Sequence, residues 1–592
     1  MTSILKIGRR PIGLTLPALG ILVAVFGLPI VHLFLASINA PDFSLVNYQA
    51  VFGQPANARI LLQTIEMSIV ATAICLVIGY PTAYMIVAAP KYVRIALIVL
   101  VIIPYLTSGL ARTYAWIVIL GDRGLINNIL LDLGLISSPL QLIYNRMAVY
   151  IGMVHIMLPT MILPLISVMF GIDKSLVAAA RSMGARPFAA FWRVFFPLSL
   201  PGVRSGALLV FVFCLGFYIT PATLGGLGDA MLSNFIEAQV RTSFDMGRIA
   251  ASSFILLAIA VAVLSMVGLN LSPARGHAAK APRQTWLTRL GAFLPVRRWL
   301  SKLLAPYRAK QWEAQLYRPQ SNGRWPMVVG TIFIVLVLTF LQFPGLIVII
   351  MSFSAGEFLE FPPSGLSLQW YRSFFGDPSW NGAAFLSIEI GLVVSLLSTI
   401  VGTLAAYGLS RSGQQLRSVM TMVILAPITF PVIVVGVATY LGLIDLGLLG
   451  SRAGIVLAHS IGATGTVFVI VSASLANFDR RLEQAAMSMR AGPLQTFKRV
   501  TLPLIRPGII GGAVFAFLHS FDELVITSLI GGLSIRTLPL KMFENIRHQI
   551  DPTIAAVATL LTLLPVVWLI VLYITWWRAR PKDQLGVPNP AT

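Results

Sequence analysis

The chain has 592 residues, of which 57% are hydrophobic and 11% are charged, and its formal net charge is +22. Soluble globular domains are about 45–50% apolar and about 25% charged. This composition therefore excludes a soluble enzyme, a disordered scaffold and a secreted disulfide-rich protein. A membrane-spanning helix needs about 20 apolar residues, and the sequence has room for many, so it predicts an all-α polytopic membrane protein.

Apolar windows predict twelve membrane spans in two groups of six. The groups divide the chain into a first half (residues 1–270), a basic linker (271–325) and a second half (326–592). Each boundary is uncertain by about 2–4 residues. In chain order the predicted spans fall near residues 13–37, 61–88, 93–120, 147–170, 205–224, 249–270, 327–353, 384–408, 417–444, 453–476, 510–530 and 553–577.

The positive charge is concentrated outside the spans. The linker carries 11 Lys and Arg against one acidic residue, Glu313. Smaller basic clusters lie in residues 6–10 and 578–582, next to the first and last predicted spans. Because short basic segments stay on the cytoplasmic side, all three predict cytoplasmic termini and a cytoplasmic linker. The linker is either a tether or a contact for anionic lipid, and no soluble basic domain exists to bind nucleic acid.

The two halves of the chain are copies of one another. Matching residues are 323 positions apart early in each half and 306 positions apart later, because the first half contains 17 additional residues between these regions. An even number of spans in each half predicts parallel repeats related by an axis along the membrane normal. Matching pairs include Glu66/Glu389, Gly79/Gly402, Tyr84/Tyr407, Ala179/Ala485, Ala180/Ala486, Ser182/Ser488, Met183/Met489, Arg193/Arg499, Pro197/Pro503 and Gly225/Gly531.

A loop follows the fourth span of each half, at residues 171–197 and 478–503. In the first copy, helix-forming residues run from Leu176 to Met183, and Gly184 is typical of a helix end. The predicted topology places both loops in the cytoplasm. One short helix in each half suits a partner with matching twofold symmetry.

These loops resemble the EAA loop of ABC importer permeases: Glu-Ala-Ala, three residues, Gly, then about a dozen residues to a Pro. The resemblance implies that each loop forms a coupling helix that docks on an ATPase subunit. The glutamate is replaced by Ala178 and Gln484, and the second glycine by Arg490. The implied coupling residues are Ala178, Ala179, Ala180, Arg181, Gly184 and Pro197 in the first loop, and Glu483, Gln484, Ala485, Ala486, Arg490 and Pro503 in the second.

Within that superfamily, segments 361–371, 521–532 and 537–543 resemble spermidine/putrescine-type permeases. Segment 216–226 resembles the partner permease of the same system, so the chain looks like both permeases fused. Ferric-iron permeases are a related alternative. Their second half typically carries Lys-Glu-Leu-Pro where this chain has Asp-Glu-Leu-Val at 522–525.

The resemblance implies a membrane subunit of an ATP-driven importer in a bacterial inner membrane, not an enzyme. The chain has no GxxxxGK[ST] phosphate-binding loop, so ATP and Mg²⁺ would belong to two partner ATPase subunits, and the chain itself would bind no cofactor. A periplasmic binding protein would deliver a small cationic solute such as a polyamine. Cys75 and Cys214 lie in apolar segments and offer no metal-site spacing.

Acidic residues inside spans are candidates for the substrate path, because a charge at a helix centre costs roughly 2.5–3.5 kcal/mol on insertion scales. Glu66 and Glu389 occupy equivalent positions early in the second span of each half. Facing the axis between the halves, they would offer a cation two carboxylates. At the outer interface they would instead lie in water and bind nothing.

Asp522 and Glu523 lie in the predicted eleventh span, where the first half has a glycine and Phe217. Carboxylates suit an amine substrate, and Phe217 and Tyr218 are available for cation–π contact. A gate or a contact between helices is the alternative role for these two carboxylates.

A function from a different class is an ion-coupled secondary transporter with two six-span halves. It would account for the spans and the duplication. It would not account for matching loops after the fourth and tenth spans, and it predicts transport without any partner protein.

Overall fold

The computed structural model describes residues 11–243, 245–267, 325–356, 360–532, 534–548 and 551–578. The predicted linker lies outside the described residues except for Trp325, and so does the N-terminal basic cluster. The secondary structure of the described part is helical, apart from one isolated bridge between Ser354 and Leu366. This confirms the predicted fold class.

Apolar stretches of the predicted lengths form the long helices, and short amphipathic helices lie between them. The helices of the first half are α1 (Gly13–Ser37), α2 (Val46–Phe52), α3 (Pro55–Ala88), α4 (Lys91–Leu106), α5 (Gly109–Leu120), α6 (Leu125–Asp132), α7 (Arg146–Phe170), α8 (Lys174–Ser182), α9 (Pro187–Leu215), α10 (Ile219–Leu224), α11 (Leu232–Thr242) and α12 (Met246–Val267). Those of the second half are α13 (Trp325–Met351), α14 (Gln369–Gly376), α15 (Pro378–Ser410), α16 (Gln414–Thr429), α17 (Val432–Asp445), α18 (Arg452–Ala476), α19 (Arg481–Ser488), α20 (Pro493–Phe521), α21 (Val525–Ile530), α22 (Leu538–His548) and α23 (Thr553–Arg578).

The described residues account for nine to 11 of the twelve predicted spans. Among the described residues, nine helices are long and apolar enough to cross a membrane, or 11 if each of two bent helix pairs counts as one span. The last helix contains a shorter apolar stretch, Thr553–Val567. The all-helical architecture of two repeats is confirmed, whereas the exact number of twelve spans stays a prediction.

Each half is built around the same three-helix core. In the first half α3 packs on α7 and α9, and in the second half α15 packs on α18 and α20. A glycine lies at the equivalent crossing of each core. A Cβ on Gly79 would lie 3.0 Å from Cγ of Met161, and one on Gly402 would lie 2.9 Å from Cβ of Val467. Small residues at these two positions let the helices approach closely.

The first helix of each half packs against the other half. Helix α1 lies on α17, and α13 lies on α5. The contact is close: a Cβ on Gly442 would lie 2.3 Å from Cγ of Pro29. The halves are therefore interlocked, and the region where they meet is the centre of the molecule.

Four predicted spans are interrupted rather than continuous. The predicted span at 93–120 consists of α4 and α5, bent by 93°, and the span at 417–444 consists of α16 and α17, bent by 100°. The residue before a proline is pushed out of the helical region, and Phe430, which precedes Pro431, has ψ 149°. The spans at 205–224 and 510–530 stop at Leu215 and Phe521 and restart as α10 and α21.

The 17 extra residues of the first half form α6 and its flanking loops. They reach across to the second half at Phe361. The side-chain amide of Asn128 donates to the carbonyl oxygen of Phe361 at 2.6 Å, and the Phe361 amide donates to the carbonyl oxygen of Arg123 at 3.4 Å. The insertion is thus a bridge between the halves that has no counterpart in the second half.

A central cavity and two duplicated loops as candidate functional sites

The helix breaks meet in the centre of the molecule, where one half crosses the other twice. At one crossing a Cβ on Gly216 would lie 3.2 Å from Cα of Pro431. At the other, the carboxylate of Asp522 accepts hydrogen bonds from the hydroxyl of Ser108 and, at 3.2 Å, from the amide of Gly109. Gly216 and Asp522 are equivalent in the repeat, as are Ser108 and Pro431. The two crossings are therefore equivalent in the repeat but differ in polarity: the one at Gly216 is apolar, and the one at Asp522 is polar.

Two adjoining cavities open at these crossings. The charged lobe, about 410 Å³, is lined among others by Ser108, Arg112, Asp522 and Glu523. The apolar lobe, about 440 Å³, is lined among others by the positions equivalent to those four, which are Pro431, Val435, Gly216 and Phe217. Glu523, Tyr105 and His519 line both lobes, so the two lobes adjoin at these side chains and are together called the chamber here.

Four of the predicted substrate-path residues come together in this chamber. Phe217 and Tyr218 line the apolar lobe, Asp522 the charged lobe, and Glu523 both. Within the predicted eleventh span, the two acidic residues lie at the break between α20 and α21. One carboxylate oxygen of Glu523 accepts from the amide of Ile526 at 3.0 Å, which satisfies an otherwise unpaired amide in the first turn of α21.

Tyr218 is buried against the outer part of the second half. It is 2% exposed, its ring lies 5.5 Å from that of Phe543, and its hydroxyl has no hydrogen-bond partner among the described residues. The side chain of Phe217 is only half-buried. Of the two predicted aromatic residues, Phe217 is therefore the more accessible from the chamber.

Sequence reasoning missed Arg112, which among the described residues is the one arginine or lysine that lines the charged lobe. It is 8% exposed, its Nη1 lies 3.5 Å from the carbonyl oxygen of Ile156, and its Nε has no hydrogen-bond partner among the described residues. The signal was present in the sequence. Arg112 lies inside a predicted span, so the criterion that selected Asp522 and Glu523, a charge within an apolar helix, also applies to it.

Glu66 and Glu389 lie apart from this chamber's lining. Their side chains are 57% and 53% exposed. Each is beside the arginine that begins the fourth long helix of its half: Glu66 is 3.6 Å from Arg146, and Glu389 is 2.9 Å from Arg452. The structure thus gives each glutamate a cationic partner from its own half, and the two-carboxylate cation site stays a prediction.

The duplicated loops form the short helices α8 and α19, and helix alternation places both at one end of the bundle, here called the short-helix end. Equivalent aspartates begin both: the amide of Ser175 donates to Asp173 at 2.8 Å, and the amide of Arg481 donates to Asp479 at 2.9 Å. The hydroxyl and amide of Ser175 hold the pKa of Asp173 below its usual range. Asp173 is the N-cap of α8, whereas Asp479 lies one residue before Arg480, the N-cap of α19.

Both short helices also end in the same way. The amide of Ala185 bonds the carbonyl oxygen of Ala180 at 3.0 Å, and the amide of Ala491 bonds that of Ala486 at 3.1 Å. This six-residue closure requires a left-handed residue just past the helix. Gly184 provides it with φ +89°, and Arg490 adopts it with φ +63°. Arginine in place of glycine therefore raises the backbone strain at the end of α19, while the hydrogen-bonded closure stays the same as in α8.

Each short helix presents a mixed face to solvent. Ala180 and Ala486 are buried against the bundle. The exposed coupling residues include Ala178, Ala179 and Arg181 in the first loop and Gln484, Ala485 and Arg490 in the second. Large apolar side chains are exposed at equivalent positions of the two loops, Met183 at 82% and Met489 at 77%. The matched exposed apolar set is Leu176/Leu482, Met183/Met489 and Phe188/Leu494. Pro197 and Pro503 follow π-helical stretches farther along, in α9 and α20.

The two loops are fastened to the bundle differently. In the second half the buried carboxylate of Glu483 accepts from the guanidinium of Arg411 and from the hydroxyl of Thr501. An aromatic contact is common to both halves: the ring of Tyr84 lies 5.3 Å from that of Phe191, and the equivalent ring of Tyr407 lies 4.7 Å from that of Phe497. The buried ion pair is therefore an addition of the second loop. Glu483 therefore points into its own chain, unlike the exposed Gln484 beside it.

Replacing Arg490 by glycine is expected to stabilise the protein by about 0.5–1 kcal/mol. A left-handed non-glycine residue costs roughly 1–2 kcal/mol, and the gain is reduced because glycine adds entropy to the unfolded chain. Thermal unfolding of the purified chain in detergent measures the change. Gly184→Arg, at the equivalent position, should shift the midpoint in the opposite direction; a shift in the same direction for both variants would contradict the strain argument.

Removing the Glu483 side chain is expected to destabilise the chain by about 2–3 kcal/mol. Glu483→Ala leaves the guanidinium of Arg411, only 15% exposed, without its anion, and breaking a buried pair in this way is costly. Thermal unfolding checks the loss. The double variant Glu483→Leu/Arg411→Leu should recover part of it, because no unpaired charge remains; equal losses in the single and double variants would show that the charge is irrelevant.

Two interlocked helical repeats, a chamber between them and a short helix from each at one end define a membrane transport permease. The chain belongs to the family of binding-protein-dependent transport system inner membrane components, whose model matches it twice, at residues 76–272 and 398–579. It is accordingly a multi-pass inner-membrane protein. The two matches fall one in each half, which agrees with the internal repeat.

Individual relatives each match part of the chain. The spermidine/putrescine transport system permease protein PotB of Haemophilus influenzae is 40% identical over 197 residues, covering 33% of this chain and 68% of that protein. The putrescine transport system permease protein PotI of Escherichia coli K12 is 36% identical over 254 residues, covering 42% and 89%. A bacterial ABC transporter structure, described as involved in import of the acidic polysaccharide alginate, is 16% identical with a TM-score of 0.35 and covers 45% of this chain and 100% of that chain.

Proposed function

We propose that this chain supplies both membrane units of an ATP-driven importer that carries a small polyamine, such as putrescine or spermidine, into the cytoplasm. Two family repeats in one chain support the fusion, and the names of the PotB and PotI relatives support the substrate class. The observation that carries the substrate proposal is the chamber between the halves. Two carboxylates and an accessible aromatic ring line it.

The chemistry of the chamber suits an aliphatic amine. An ammonium group entering the charged lobe would find the carboxylates of Asp522 and Glu523, which are hydrogen-bond acceptors when ionised. The methylene chain would extend into the apolar lobe along Phe217, whose ring face attracts a second ammonium group. One end of the substrate would therefore be held by charge and the other by aromatic and apolar contact.

Two ATPase subunits would dock on the short-helix end. The matched exposed apolar residues of the two loops offer the same surface twice, as a symmetric pair of partners requires. The basic segments next to the spans favour a cytoplasmic orientation of this end. ATP and Mg²⁺ would bind to those partners, and a periplasmic binding protein would deliver substrate to the opposite end.

Reconstituted transport tests the proposal. The full chain is placed in proteoliposomes with its cognate ATPase inside and its binding protein outside, and uptake of radiolabelled putrescine and spermidine is measured. We expect uptake that requires ATP and both partners. Uptake driven by an ion gradient without the partners would instead identify a secondary transporter. ATP hydrolysis stimulated by the binding protein without uptake of either amine would keep the importer and reject the polyamine.

A further inference from the structure

Arg112 is a buried cation without a close anionic partner. No carboxylate of the described residues lies within 4.0 Å of it, its Nε is unpaired, and its only hydrogen bond is the 3.5 Å contact with Ile156. A buried charge that lacks compensation is strongly unfavourable. Something in the chamber must therefore balance the guanidinium in the resting protein.

The candidate anions line the charged lobe together with Arg112. Asp522 and Glu523 line the same cavity of about 410 Å³ as Arg112. The carboxylate of Asp522 is also held by Ser108, on the same side of the lobe and four residues before Arg112. The lobe thus contains two carboxylates and one guanidinium, with a formal charge of −1 when all three are ionised.

The other half of the repeat has uncharged residues at the positions equivalent to Arg112, Asp522 and Glu523, so the fold does not require charges there. Val435 stands at the position equivalent to Arg112 and lines the apolar lobe, where the two equivalents of the carboxylates are also uncharged. The fold therefore accepts an apolar side chain at this place. At the repeat-equivalent positions the cation and both anions are replaced together, by Val435, Gly216 and Phe217, as expected of groups that compensate one another; Glu523 itself borders both lobes.

We propose that Arg112 is the resident counter-cation of Asp522 and Glu523, and that it limits how much positive charge the chamber accepts from a substrate. This inference rests on the proposed polyamine function. With the guanidinium present, one ammonium group neutralises the lobe, and each further ammonium group is repelled by Arg112 unless it reaches the apolar lobe. Arg112 is therefore a specificity-determining residue that disfavours the more highly charged amines.

Charge selectivity is the test, in the reconstituted system with ATPase and binding protein. The measured quantity is kcat/KM for spermidine divided by that for putrescine, compared between variant and wild type, so that the selectivity of the shared binding protein cancels. Arg112→Gln should raise this ratio about tenfold, since one repulsive unit charge is removed from a partly buried site. Arg112→Lys keeps the charge and should leave the ratio within about twofold of wild type.

A second variant separates charge from packing. Arg112→Gln combined with Asp522→Asn restores the formal charge of −1 and should return the ratio toward wild type. If Arg112→Gln does not accumulate in the membrane, recovery of accumulation in this double variant supports the proposal, and absence of recovery overturns it.

Equal losses of spermidine and putrescine uptake in Arg112→Gln, with an unchanged ratio, would also overturn the proposal and leave Arg112 a structural residue. Failure of the wild-type complex to carry either amine is a different outcome. It would reject the polyamine function itself.

Discussion

Putrescine uptake is expected to fall about a hundredfold, to background, when Ala179 and Ala485 are both replaced by arginine. Both alanines are exposed on the short helices, beside the buried Ala180 and Ala486. Arginine at these positions points into solvent in the free chain, so folding should be unaffected. In the complex it would obstruct two small contact positions at once, and losses of this size are typical of residues central to an interface.

Copurification of the ATPase with the tagged full chain separates a docking defect from a transport defect. We expect the double variant to accumulate and unfold like wild type while retaining little ATPase. Ala238→Arg, an exposed alanine of α11 at the opposite end, is the matched control and should retain the ATPase fully. Normal ATP-driven uptake by the Ala179/Ala485 variant would contradict the assignment of α8 and α19 as docking helices.

The long helices and the duplication were predictable because both depend on local sequence. An apolar run such as that of α7 or α18 forms a helix whatever it packs against, since the bilayer requires internally satisfied backbone. The register between the halves follows from identities alone. Gly184 marked the end of the first short helix in the sequence, whereas Arg490 at the equivalent position gave no signal of its left-handed conformation.

The helix breaks were not predictable from apolar windows, because hydropathy is continuous across them. Gly216 and Asp522 interrupt their helices at the place where the other half crosses, at Pro431 and Ser108. Such contacts depend on how two halves interlock and leave no local pattern except the proline. The distinction between Asp522 in the chamber and the exposed Glu66 likewise depends on tertiary packing, since both are single acids in apolar segments.

A comparison of the two acidic positions therefore gives the most direct test of the substrate path. Glu523→Gln is expected to reduce putrescine uptake about 50-fold. The amide oxygen of glutamine can still accept from the amide of Ile526, so α21 keeps its capped start and only the charge is lost. A buried charged hydrogen bond to substrate is worth about 1.5–3 kcal/mol. A loss of about 50-fold in uptake corresponds to a free energy within that range.

Glu389→Gln is the matched control, because it makes the same chemical change in an exposed ion pair with Arg452. Exposed pairs contribute about 0–1 kcal/mol, so uptake should stay within about twofold of wild type. The reverse result, a large loss in Glu389→Gln and none in Glu523→Gln, would move the cation site from the chamber to the glutamate pair. Equal large losses would indicate that an amine meets carboxylates in succession, first at Glu389 and then at Glu523.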